Sequence, residues 1–344
     1  MKKWLWLFGF SLSFTYLVYG QAFGATEQAV DLVSGAEFVA GANINEKNIK
    51  ADGTIFVPDG VSRVRAVVVL VEALPGAERS PLRPFIDLAA GRFRDQAWRR
   101  LCETSECALL HLRLGTIRAE PSPGIIVNGV VVRNGVPNRI VRNAAEGGTD
   151  ALLMIMQRLG DESGHQEVKD CPLLLWGWSA AASFGTTFAE LYSERTIAFI
   201  RYHTHLRGLS PNVQRLKNIP ALLIAGQKDE TAGTEDAETL WRSGRAAGAP
   251  WTFAIEPGAT HADEERFVSS HELMIPWIAA VLRDRLEPGS ARLAPVRENT
   301  GWFGENRTME IAPDRTFSGA EAQSSWLPDE PTARAWRNVV SKTK

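Results

Sequence analysis

Short, wholly apolar runs alternate along the chain with longer stretches in which apolar residues recur every three or four positions. That rhythm predicts strands buried on both faces, separated by amphipathic helices, which is the signature of an α/β protein with a mostly parallel sheet. Residues 36–46 and 54–58 read as two short strands, the second closed by Pro58-Asp59-Gly60, and residues 65–72 as the first fully buried strand. A helix is expected over residues 81–101, with Trp98 and Leu101 facing inward, and a strand over residues 107–114. Further helices are expected over residues 146–160, 180–193, 235–247 and 265–286. Strands are expected within residues 173–178, 196–203, 219–229 and 251–261; these apolar runs are too short for helices.

Two segments break this rhythm. Residues 115–144 hold Pro121, Pro123 and Gly124, then two β-branched runs around Asn128-Gly129, a hairpin signal. This insertion reads either as part of a substrate pocket or as a surface excursion. Beyond Pro288 the periodicity fades, and Trp302, Trp326 and Trp336 stand among Gly, Pro, Asn and charged residues. Residues 288–344 are expected as a C-terminal extension packing over the domain, its tryptophans filling surface grooves; a polymer-binding flap of stacked tryptophans is the alternative.

The amino terminus changes the picture further. Met-Lys-Lys precedes an almost uncharged apolar run over residues 4–19, followed by small residues at Ala22, Gly24 and Ala25. This is the pattern of a secretory signal peptide over residues 1–25, and the run is short for a membrane span. The expected organisation is therefore signal peptide, one α/β domain over residues 26–287, and the extension. The mature protein is expected to be periplasmic or extracellular, with no stable membrane anchor. The formal charge is −2 over 344 residues, and no basic cluster exceeds residues 92–100, which fit the solvated face of a helix. Nucleic acid is thus not an expected partner. Of the three cysteines, Cys102 and Cys107 read either as a local disulfide or, with Cys171, as reduced packed thiols. A C-x4-C pair without a matching second pair does not suggest a metal site. His203 and His205, two apart on an expected strand, would share a face; no third ligand is evident, so they are expected to line the site or bond locally.

The candidate chemistry sits in Leu173-Leu-Leu-Trp-Gly177-Trp-Ser179-Ala-Ala181-Ala-Ser-Phe-Gly185, a buried strand running straight into a helix with Ser179 at the corner. Small flanking residues are needed because such a corner brings backbone close to the serine; Gly177 supplies one and Ala181 the other. A serine hydroxyl is a poor nucleophile at neutral pH unless a base within hydrogen-bond reach, oriented by an acid, takes its proton. Asp229 follows the run ending in Gly226, and His261 follows the Pro257-Gly258 turn, so each stands just past a strand. In open parallel sheets, sites assemble at those ends. The reserve acids are Glu230 and Asp236. The intervals, 50 residues from Ser179 to Asp229 and 32 from Asp229 to His261, leave no space for a large lid domain.

On Gly177-Trp-Ser179-Ala-Ala181, Gly226-Gln-Lys-Asp229 and Gly258-Ala-Thr-His261, over roughly residues 50–286, the chain resembles the α/β hydrolases, in particular secreted esterases and lipases. The resemblance implies a central, mostly parallel sheet with helices on both faces, Ser179 as nucleophile, His261 as general base and acid, and Asp229 as its orienting carboxylate. One oxyanion donor would be the backbone N–H of Ala180. The second would come from the loop after residues 65–72, at Ala73 or Leu74; many relatives carry His-Gly there, and this chain has Glu72-Ala73. A carboxylate facing an oxyanion would oppose catalysis, so Glu72 is expected to point away or to pair with an arginine. The implied activity is cleavage of small or polymeric carboxylic esters through an acyl-enzyme, without cofactor or metal. A peptidase on the same chemistry and a non-catalytic binding protein are the alternatives.

Overall fold

The computed structural model describes residues 32–73, 88–117, 125–127, 130–132, 144–206, 209–261, 268–288, 292–296 and 300–342. The expected signal peptide, Leu74 and the Asn128-Gly129 turn lie outside them.

Runs of valine, leucine and isoleucine make the middle of the fold. Ala66–Ala73 (β3), Leu173–Trp178 (β7), Thr196–Tyr202 (β8) and Ala221–Gly226 (β9) are buried along nearly their whole length, which a sheet allows only when both faces are covered. With Gly35–Ile44 (β1), Ile49–Pro58 (β2), Cys107–Thr116 (β4) and Trp251–Glu256 (β10) they form one eight-stranded sheet, ordered β1-β2-β4-β3-β7-β8-β9-β10. β1, β2 and β4 pair antiparallel, and every pairing from β4 to β10 is parallel. The expected hairpin forms as Ile125–Val127 (β5) against Val130–Val132 (β6).

Strand alternation divides the core. On β3 and β7, Val68, Leu70, Leu174 and Trp176 face the helices Leu88–Arg94, Gln96–Thr104 and Val268–Arg285. Their neighbours Val67, Val69, Leu173 and Leu175 face the helices Gly148–Ser163 and Ala182–Leu191. The single helix expected over residues 81–101 is broken at Asp95, whose side chain accepts the Ala97 N–H at 2.7 Å and caps the second helix. Cys102, Cys107 and Cys171 are buried free thiols, not a disulfide; burial pushes Cys107 and Cys171 up to about 12. Among the described residues no helix is long and apolar enough to cross a membrane.

The fading periodicity after Pro288 hides regular structure. Trp302–Glu305 (β11), Ile311–Pro313 (β12) and Ser324–Leu327 (β13) form a small antiparallel sheet, and Glu330–Ser341 a helix. These elements cover β10, the edge of the large sheet. Phe253 donates its N–H to Ser325 Oγ at 2.9 Å, and its carbonyl accepts the Trp336 indole N–H at 2.7 Å. Trp336 is wholly buried rather than seated in a surface groove, while Trp302 and Trp326 are half-buried.

Candidate active site

β7 ends at Trp178, and a 3-10 turn, Ser179–Ala181, carries the chain into the helix Ala182–Leu191. Ser179 sits at φ 53°, a left-handed conformation that side chains rarely adopt. The corner is tight enough that a Cβ on Gly177 would lie 2.6 Å from the Ala181 carbonyl and from Ala182 Cα, so only glycine fits there. Ser179 and Ala180 remain partly exposed at the crest.

The loops after β9 and β10 bring the other two residues to this corner. Lys228 N–H donates to the Ala259 carbonyl at 2.8 Å, and Gly258 N–H to Gln227 Oε1 at 2.7 Å, tying the loops together. A Cβ on Gly226 would come within 2.7 Å of the Ala259 carbonyl, so this crossing also requires glycine. His261 Nε2 lies 3.0 Å from Ser179 Oγ, and His261 Nδ1 lies 2.8 Å from Asp229 Oδ2. The other Asp229 oxygen accepts the N–H groups of Thr231 at 2.9 Å and Ala232 at 2.8 Å. Burial alone would raise the Asp229 pKa; the hydrogen bonds from His261 and Ala232 and the charges of His261 and His203 outweigh it and hold the carboxyl below its ordinary range. Hydroxyl, imidazole and carboxylate therefore form one continuous line, suited to drawing a proton from the serine.

The reserve acids stand elsewhere. Asp236 accepts the Leu206 N–H at 2.6 Å, and Glu230 is exposed. Ala180 is the middle residue of the 3-10 turn that Ser179 opens, so its N–H belongs to the corner. Val71 on β3 is in register with Gly177 on β7, which brings Ala73, two residues on, level with Ser179 at the neighbouring strand end. Glu72 pairs with a histidine and not with an arginine: its Oε2 lies 2.5 Å from His111 Nε2 on β4.

Two features were not visible in the sequence. Trp178 donates its indole N–H to the His261 carbonyl at 3.0 Å, with ring centroids 5.1 Å apart, and so holds the imidazole from behind. His203 does not continue the face of β8: it follows the last strand residue at φ 45°, is fully buried, and meets Glu256 instead of pairing with His205. Among the described residues, no three His, Cys, Asp or Glu side chains are gathered as metal ligands.

The strand order places the serine corner after β7 beside the acid and histidine loops after β9 and β10. The chain has the α/β-hydrolase fold. No family model and no curated protein matches the sequence. Solved structures similar to it include a ferulic acid esterase, at 14% identity and TM-score 0.46, covering 73% of this chain and 99% of that one. A thermostable esterase matches at 15% identity and TM-score 0.45, over 67% of this chain and 56% of its own. An α/β serine hydrolase homologue from Coxiella burnetii matches at 14% identity and TM-score 0.41, over 72% and 99%. Sheet order and serine corner, not these distant likenesses, define the α/β-hydrolase fold here.

Proposed function

We propose that the protein is an exported serine hydrolase that cleaves carboxylic esters, with Ser179, His261 and Asp229 as its catalytic triad. The observation that carries this reading is the unbroken contact line, 3.0 Å from Ser179 Oγ to His261 Nε2 and 2.8 Å from His261 Nδ1 to Asp229. His261 takes the Ser179 proton as the oxygen attacks the carbonyl carbon, and Asp229 holds the imidazole in the required tautomer. Backbone N–H groups of Ala180 and Ala73 receive the oxyanion of the tetrahedral intermediate. His261 then returns the proton to the departing alcohol, leaving an acyl group on Ser179. Water, deprotonated by His261, releases the acid. No residue in this sequence of steps calls for a metal or organic cofactor. Export is supported by the basic start, apolar core and small residues of the first 25 positions.

A fluorophosphonate probe tests the chemistry, and a panel of p-nitrophenyl, feruloyl and polymeric esters beside an aminoacyl anilide tests the substrate class. The probe should label Ser179 in the wild type, and ester turnover should fall by roughly 10⁴-fold or more in Ser179→Ala. A folded wild type that stays unlabelled would leave a binding protein on this scaffold. Turnover of the anilide alone would make the enzyme a peptidase. Export is read separately, from the mass of protein recovered outside the cytoplasm, which should lack its first 22 to 25 residues.

A further inference from the structure

Behind Asp229 lies a buried charged cluster that the proposed reaction does not use. His203 and Glu256 are both wholly buried. His203 Nε2 is 3.1 Å from Glu256 Oε2, and the same oxygen accepts the Tyr202 hydroxyl at 2.5 Å. The other imidazole nitrogen, Nδ1, faces Asp229 Oδ2 at 3.9 Å and has no hydrogen-bond partner. That Asp229 oxygen is the one bonded to His261. The ring is deliberately held: it stacks on Tyr202 with centroids 4.1 Å apart, and its backbone takes the left-handed conformation at φ 45°. Gly226 leaves room for it, since a Cβ there would stand 3.0 Å from His203 Cε1.

A neutral imidazole has one donor nitrogen and one lone pair. If Nε2 donates to Glu256, a neutral ring would turn its lone pair, buried and unpaired, toward the Asp229 carboxylate. An imidazolium instead presents an N–H group to each of the two carboxylates. Two further charged groups stand near the cluster. Arg92, on the helix Leu88–Arg94, stands over the Trp176 and Tyr202 rings at 4.3 and 5.1 Å, and its charge acts on Glu256. His271, on the helix Val268–Arg285, feels Arg92 and Glu256 but is committed to Asp95 and Trp98.

We propose that His203, clamped by Glu256 and Tyr202, is a positioning residue for the triad: a buried imidazolium that keeps Asp229 anionic and its Oδ2 turned toward His261. The proposal rests on the serine-hydrolase reading. His203 touches no substrate and acts only through Asp229. A cation beside the Asp229–His261 couple opposes protonation of that couple, so its loss makes the couple protonate at higher pH.

The test is the rate constant for fluorophosphonate labelling of Ser179 between pH 5 and pH 9, which needs no knowledge of the natural substrate. Wild type is compared with His203→Asn, because asparagine is among the residues best suited to the left-handed backbone at this position, and with His203→Gln. In both variants the acid limb should move up by about one pH unit, and labelling below the limb should fall about tenfold, one unit of pH being a factor of ten in the protonated fraction. A purely structural role lowers the melting temperature and leaves the limb of the folded variant in place; that result overturns the proposal while labelled wild type leaves the hydrolase reading standing. Unlabelled wild type overturns both. Should neither variant fold, the ¹⁵N spectrum of wild-type histidines decides: His203 must show two protonated ring nitrogens at pH 7, and a neutral pattern overturns the assignment.

Discussion

At Gly177 there is no room for a methyl group, because the chain folds back within 2.6 Å to make the serine corner. Gly177→Ala should therefore either fail to fold or open the corner, with labelling of Ser179 lost while the far-UV spectrum of any soluble fraction is kept. Trp178 gives a gentler case. Trp178→Phe removes the hydrogen bond to the His261 carbonyl but keeps most of the packing, and one hydrogen bond is worth about 1 kcal/mol. The expected outcome is a several-fold drop in kcat with little change in KM. Asp229 links chemistry to stability. Its pKa in the folded state is lowered from the ordinary 3.8, so the ionised carboxylate stabilises the fold above that value, and the contribution disappears as pH falls through the folded-state value. Asp229→Asn should shift the urea midpoint clearly at pH 7 and progressively less as the pH falls below 3.8. At this scale the sequence was informative wherever the chemistry dictates residue type: a serine between small neighbours, an acid and a histidine past strand ends. Glu256 was not legible, because nothing in Ala-Ile-Glu-Pro distinguishes a buried acid from a solvated turn residue. Only the parallel pairing of β9 with β10 brings it under His203.

The elements were readable in proportion to their burial. β3, β7, β8 and β9 are continuous apolar runs; the limits of β3, β7 and β8 lie within one residue of those expected, and those of β9 within three. The helix break at Asp95 and the C-terminal elements were obscured for a physical reason: short strands and a half-polar helix bury too little to show a clean period. A signal was present in Asp329-Glu330-Pro331, where the aspartate side chain accepts the Thr332 N–H at 2.9 Å and proline occupies the first turn. Those elements guard the exposed edge of β10, which would otherwise offer unpaired backbone groups to another chain. Removing residues 300–342 should yield protein that aggregates on expression. Trp336→Phe, which loses the bond to the Phe253 carbonyl and leaves part of the buried indole's space unfilled, should cost about 1–3 kcal/mol in denaturant unfolding and leave the protein soluble.

Across the whole molecule, one sheet collects distant residues at a common rim. The serine corner follows β7, the acid loop β9 and the histidine loop β10, and the C-terminal elements grip β10 three residues before Glu256. Residues 324–341 thus form a clasp on the strand that leads to His261. A nascent polypeptide halted near position 290 already contains Ser179, Asp229 and His261, yet lacks the piece that seats the outermost strand. Ribosome-held chains of that length should ignore the phosphonate probe, and reactivity should switch on only after residues 324–341 emerge. Residues 324–341 would then act as a safety catch, with Ser179 dormant until they dock on β10.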